Sequence, residues 1–313
     1  MPSPLDTLDL QRLRREELPA LAQWDRRGLF PAPGENGEAF AQRLLRLQER
    51  LRECHGSLKE KGLYSLEGLS LKREARVPPA LLEEAGERTR RLYGFQGDWV
   101  PAFFLTPGMG WLFGGCTYSW PPDPFAVFII NERLRDRKRS FLYCREEILA
   151  HELCHVARGG LDSQRFEEHF AYQTSHSAFR RNWGGIMHSQ TDSFLFLGAC
   201  LLLLLGQFTL PLLAPQLPLF LNWIPLLATT TTLVLRHLHT RKIFQRALDA
   251  LAHCCGEDRQ KARILLFHAT DTEIHALARA QDPALLLDKW RQKCLRWKVA
   301  CYRTGRLQEL AKE

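Results

Sequence analysis

The hydrophobic pattern of this chain changes character three times along its length. In residues 1–75 the apolar positions recur at helical spacing within a polar background. Phe40, Leu44, Leu47 and Leu51 form one stripe, and Asn36 stands where an N-cap belongs, just after the Pro31 to Gly34 break. The spacing predicts an amphipathic helix over 37–54 in a mostly helical N-terminal region. A second helix is predicted from Pro78-Pro79 to Tyr93-Gly94, with proline in its first turn and glycine past its end. Strand-like runs follow at 99–105, 111–113 and 125–130, separated by Pro- and Gly-containing turns. They predict a small antiparallel or mixed sheet within a region spanning 76–190.

The second change comes at residues 194–235, which contain no charged residue; Gln207, Gln216 and Asn222 are the strongly polar interruptions. A helix needs about 20 residues at 1.5 Å each to cross a hydrocarbon core roughly 30 Å thick. Residues 194–213 and 217–235 each supply one span, with Pro211, Pro215 and Pro218 marking the turn between them. Arg180-Arg181 precede the first span, Arg236, Arg241 and Lys242 follow the second, and the connecting loop has neither Lys nor Arg. Because positive flanks stay inside, both termini and both soluble portions are expected on the cytoplasmic side of a two-helix transmembrane hairpin.

Residues 241–313 return to helical periodicity. Asp282-Pro283 reads as an N-cap and first helical position, and Trp290, Cys294, Trp297 and Cys301 fall on one stripe flanked by Lys289, Arg291, Lys293, Arg296 and Lys298. Such a basic tail suits either anionic lipid headgroups or packing within a helical bundle. Beside a membrane hairpin, lipid outranks nucleic acid as a partner.

Composition narrows the setting. At 313 residues the chain holds one good-sized domain plus appendages. The net charge of +8 favours acidic partners or surfaces without choosing among them. Its nine cysteines include no C-x-x-C pair, so reduced thiols are expected rather than a disulfide framework. The N-terminal stretch lacks the apolar core of a secretory signal, which points to a cytosolic start. Glycines at 108, 110, 114 and 115 miss the G-x-G-x-x-G spacing of a nucleotide loop.

The candidate chemistry lies at His151-Glu152-Leu153-Cys154-His155, an H-E-x-x-H motif. Helix formers with acids in the first turn precede it, and Gly159-Gly160 stand where a C-terminal cap belongs. Leu149, Leu153 and Val156 are expected to be buried, and Ile148, His151, Glu152 and His155 to share the functional face. Side chains four apart on a helix are neighbours, so His151 and His155 can share one Zn²⁺ while Glu152 takes a proton from a water that the metal activates. Cys154 is expected to be a small buried hydrophobe.

A catalytic zinc usually takes three protein ligands. Gly at 158 and His at 161 would complete one known pattern, but Arg158 and Leu161 stand there, and Asp162 is out of register. An acidic segment about twelve residues after His155 is the better source, with Glu167 and Glu168 as candidates. His169, next to a ligand on the same helix, is expected to point about 100° away.

With Glu168-His169-Phe170-Ala171 matching an E-x-x-A form, residues 120–180 resemble the gluzincin class of zinc metallopeptidases. The resemblance implies Glu168 as third ligand, Glu167 in reserve, and an α+β fold whose zincin-like catalytic domain sets a small sheet against the H-E-x-x-H helix. Membrane members of that class, the CAAX-prenyl-protease and heat-shock-induced membrane peptidase families, take the third ligand farther along the chain. By that analogy Glu273, in Glu273-Ile274-His275-Ala276, is a rival. Tyr172, His176 and Arg158 are candidate donors to an oxyanion; Tyr172 is grouped with Glu152 as catalytic.

The resulting expectation is a membrane-anchored zinc metallopeptidase acting on a peptide or protein substrate, which an exposed sheet edge would bind as an added strand. The alternative is a non-enzymatic membrane scaffold with a structural or vestigial metal site and a lipid- or partner-binding tail.

Overall fold

A computed structural model describes residues 9–66, 68–105, 114–119, 124–140, 143–161, 163–187, 189–213 and 216–305. The expected strand at 111–113 lies outside them, as do Asp162 and Pro215. The described residues form a mixed α+β structure in which helices dominate.

Helices α1 (Leu10–Arg14) and α2 (Leu18–Asp25) lead into α3 (Gly37–Glu60), where the Asn36 side chain accepts from the Ala39 amide at 2.9 Å. Helix α3 runs past the expected end at residue 54 because Leu58 continues its buried stripe. A hairpin of β1 (Leu63–Leu66) and β2 (Leu69–Lys72) follows, then α4 (Pro79–Tyr93), which ends at Gly94 in the left-handed conformation with φ 74°.

Strands β3 (Ala102–Phe104), β4 (Gly115–Ser119) and β5 (Ala126–Ile130) form the sheet that supports the candidate site. Their order is β3-β5-β4, with β5 parallel to β3 and antiparallel to β4. All five β5 residues are buried, the mark of a central strand covered on both faces. Strand β4 was not among the predicted strands: its leading glycines read as a turn. Those glycines permit close packing instead, since a Cβ on Gly115 would come within 2.8 Å of Ile148 Cγ2 on the helix above.

Two short strands, β6 (Arg139–Ser140) and β7 (Tyr143–Cys144), lead into α5 (Arg145–Arg158), the H-E-x-x-H helix. Leu149 and Leu153 are buried as expected; Ile148, expected on the functional face, is buried too, against Gly115 of β4, whereas Val156, expected in the core, is only half-buried and lines a cleft. Gly159 does not form a left-handed cap; its φ is −54°, and the chain tightens into a 3₁₀ turn, Gly159–Leu161. Helices α6 (Glu167–Tyr172) and α7 (Ala178–Trp183) complete this segment.

Helix α8 (Gln190–Leu213) and α9 (Ile224–Cys254) are joined through a 3₁₀ turn, Leu219–Trp223. By length and composition, Thr191–Leu213 and Leu219–Cys254 are long and apolar enough to cross a membrane. Phe194, Leu197, Leu201, Leu212 and Leu227 stand exposed. At the base of the hairpin, Arg236 grips Asp192 with both terminal nitrogens, at 2.9 and 2.5 Å, joining the two charges that bracket the uncharged run.

No break separates hairpin from tail. Helix α9 continues past Arg236, and its far half buries Ile243, Phe244, Ala247, Leu248 and Leu251. Helices α10 (Arg259–Phe267), α11 (Asp271–Leu277), α12 (Pro283–Lys293) and α13 (Leu295–Arg303) then pack into the same hydrophobic cluster as α3, β5 and α5. The tail stripe therefore does not lie on lipid. The backbone turns extended at Cys294, splitting the stripe between α12 and α13; Trp297 and Cys301 are fully buried, and Trp290 stacks on Trp297 at 5.2 Å. Burial of each such side chain, at roughly 1.5–3 kcal/mol, outweighs what a solvated basic face gains at a surface. Arg296, read as part of that basic face, is buried and paired with Glu273 at 2.9 Å.

Candidate metal centre

Helix α5 lies on the sheet through its apolar face, which turns His151, Glu152 and His155 toward a cleft of about 630 Å³. The two imidazoles stand one helical turn apart with their Nε2 atoms separated by 3.2 Å. Glu168 on α6 approaches both: its Oε2 lies 3.5 Å from His151 Nε2, and its Oε1 lies 3.5 Å from His155 Nε2. One donor atom from each of the three falls within 4.8 Å of the others.

Each imidazole is held by a second contact. The Ala171 backbone carbonyl accepts a hydrogen bond from His151, and Glu167 Oε2 lies 3.5 Å from His155 Nδ1. Such outer partners orient metal-ligating histidines. Glu167 thus stands behind the imidazole rather than beside Glu168.

What positions α6 is Arg158, fully buried below it. Its Nε donates to Glu167 Oε1 at 2.7 Å, its Nη2 donates to Ser163 Oγ at 3.0 Å, and its Nη1 donates to the Phe267 carbonyl. The guanidinium also sits 4.0 Å from the Phe170 ring centroid. Arg158 is therefore no oxyanion donor. Asp271, in the first turn of α11, fixes the preceding loop by accepting from the Gln164 and Arg165 amides at 2.9 and 2.8 Å. The tail thus builds the support for Glu168.

His176 also stands apart from the cleft, with its ring against Arg88 at 2.6 Å. Tyr172 lines the cleft, its ring 4.8 Å from that of His151. His169 turns to the opposite side of α6, where its ring lies 5.1 Å from that of His237 on α9. Glu273 is remote in role: it closes the capping box of α11 and accepts from Arg296 and from Trp297 Nε1, the latter at 2.8 Å. Cys154 is fully buried, with a reduced thiol.

Sequence reasoning missed one contact. Thr117 on β4 donates its hydroxyl to Glu152 Oε2 at 2.5 Å. No local pattern joins residues from a glycine-led strand and a helix.

The cluster is a set of buried acids and bases that shift one another's titration. Burial raises the Glu152 carboxyl above its ordinary range, against the pull of His155 and Thr117. Burial likewise raises Glu168, helped by Glu152 and Glu167. The two histidines diverge: burial, His155 and Arg180 push His151 well down, whereas the three surrounding carboxylates overcome burial and push His155 up to about 9. Burial lifts the Tyr172 phenol to about 12, so it keeps its proton near neutrality.

No protein family model, curated protein or solved structure matches this chain. The site has to be interpreted from its own geometry.

That geometry has a simple standard. A tetrahedral ion with ligands at about 2.0–2.1 Å separates its donor atoms by roughly 3.3–3.4 Å. The two imidazole nitrogens, 3.2 Å apart, are close to that spacing; the Glu168 carboxylate lies 3.5 Å from each through a different oxygen, and one donor atom from each residue falls within 4.8 Å of the others. Two neutral-capable imidazoles and a carboxylate also form a donor set suited to zinc.

Proposed function

We propose that the protein is a membrane-anchored zinc metallopeptidase of zincin-like construction, hydrolysing peptide bonds on the cytosolic face. The observation that carries this reading is the convergence of His151 Nε2, His155 Nε2 and the Glu168 carboxylate, one donor atom of each within 4.8 Å of the others, with Glu152 on the same helix. A zinc ion held by these three side chains supplies a Lewis acid and lowers the pKa of water toward about 7.

The chain's own groups take the remaining roles. Glu152, raised by burial, accepts the proton of the attacking water as general base and passes it to the leaving amine. Tyr172 donates from its protonated phenol to the developing oxyanion. Strand β4, at the end of the order β3-β5-β4 and lining the cleft, offers an edge along which an extended peptide can lie. The hairpin α8–α9 anchors the domain, and its basic flanks favour both termini on the cytosolic side.

The scaffold alternative assigns the tail to lipid or a partner, and the apolar stripe that suggested lipid contact is folded into the core. The discriminating experiment pairs metal analysis with peptide cleavage. Glu152→Gln is expected to retain stoichiometric zinc and to lose activity by roughly 10²–10⁴-fold. Cleavage surviving that substitution would sink the proposal.

A further inference from the structure

A second cavity, of about 600 Å³, lies on the side of α6 away from the metal cluster. Five arginines line it: Arg88 and Arg91 from α4, Arg181 from α7, and Arg259 and Arg263 from α10. Among the described residues, no Asp or Glu shares that lining.

Three of these arginines have a carboxylate outside the cavity: Arg88 with Glu146 at 3.3 Å, Arg91 with Glu87 at 3.0 Å and Arg259 with Asp249 at 2.8 Å. Arg181 donates to the Ser175 and His176 carbonyls, at 2.9 and 2.6 Å, which leaves its charge uncompensated. Arg263 forms no ion pair with a described carboxylate. The cavity lining therefore carries a positive surplus beside an apolar floor of Phe170, Phe244, Leu248 and Leu266.

We propose that this cavity binds a phosphoryl anion carried on an apolar body. Guanidinium forks match phosphoryl oxygens through paired charge-assisted hydrogen bonds, and the floor accommodates carbon rather than water. Two sources share this chemistry: the headgroup of an anionic phospholipid, and a soluble phosphoryl compound. Phe244 lies on α9 eight residues beyond Arg236, so the cavity lies about 12 Å along the helix past the hairpin base, on the side of the basic flanks. Phe170 faces this cavity while Glu168, on the same short helix, faces the metal cluster, so an occupant here would bear on α6 from behind.

The test uses the purified full-length protein in a neutral detergent, titrated calorimetrically with inorganic phosphate and, separately, with a short-chain phosphatidic acid. Saturable binding of the phosphatidic acid is expected, weakened about tenfold or more by the double substitution Arg91→Gln and Arg263→Gln. Both side chains are exposed, so an unchanged melting temperature is expected to accompany the loss. A parallel titration with phenyl phosphate separates the two sources: phosphatidic acid binding much tighter than phenyl phosphate assigns the site to lipid, comparable affinities of those two assign it to a soluble phosphoryl compound, and inorganic phosphate binding as tightly as either overturns the apolar body. Absence of saturable binding by all three probes overturns the proposal, and so does undiminished affinity in the double variant. These readouts require neither peptide cleavage nor zinc.

Discussion

Thr117 and Glu152, one on the edge strand of the sheet and the other on the helix above it, are joined by a 2.5 Å hydrogen bond from hydroxyl to carboxylate. The bond favours the charged form of a carboxyl that burial otherwise pushes up. Removing it should raise the Glu152 pKa further. In the proposed mechanism the base must be ionised, so Thr117→Val is expected to shift the acid limb of the kcat/KM profile to higher pH while zinc content stays unchanged. A profile that does not move would remove Thr117 from the mechanism.

Metal content separates the acidic candidates. His151→Ala, His155→Ala and Glu168→Gln each delete a donor atom of the cluster and are expected to lose most bound zinc during preparation. Glu167→Gln keeps all three donors but loosens the support behind His155, for which a 10–100-fold loss of affinity is the usual scale. Glu273→Gln should leave zinc binding intact, because Glu273 caps α11 and pairs with Arg296. Competition with a chromophoric chelator would rank the five variants.

Arg158→Ala tests the buried anchor. It takes from Glu167 its Arg158 partner, leaving only His155, and leaves the Phe267 carbonyl without this donor. Breaking a buried pair by removing one partner costs about 3–5 kcal/mol. A large fall in thermal stability is therefore expected even for the zinc-free protein, read by the melting temperature in detergent.

Acid should weaken the fold through its buried carboxylates. Burial pushes Asp25 up, but His268 and Arg303 outweigh it and hold the carboxyl below its ordinary 3.8. Asp271 is lowered in the same way against burial, by Ser163 and the Arg165 and Gln164 amides. Carboxyls depressed in the folded state contribute stability that is complete above their unfolded pKa and lost as pH falls through the folded value. The melting temperature should therefore decline as pH drops below about 4, and Asp25→Asn should flatten that decline while lowering the plateau. A wild-type plateau extending unchanged through that range would contradict it.

The hairpin makes a topological prediction. In a background without native cysteines, Gln216→Cys should react with a membrane-impermeant thiol reagent added to the side opposite both termini. Labelling from the same side as the termini would mean that the hairpin lies along the surface instead of crossing.

The amino-acid sequence alone determines those features whose cause is local. Two imidazoles four apart on a helix must be neighbours, Asn36 must cap where its side chain reaches back to the Ala39 amide, and a long uncharged run cannot be solvated as ordinary surface. The H-E-x-x-H helix, α4 and the apolar run of the hairpin were therefore legible from spacing, whereas the end of its second helix was not, since α9 continues unbroken from Ile224 to Cys254. Tertiary structure decided whatever depends on partners distant in the chain. Glu168 reaches the histidines because Arg158 binds the Phe267 carbonyl and Asp271 binds the loop before α6. Thr117 meets Glu152 because glycine lets β4 approach α5. The stripe through Trp290 and Trp297, equally periodic whether it faces lipid or core, became core because α9 carries the tail back onto the domain. Periodicity states which side of a helix is apolar; only packing states what that side meets.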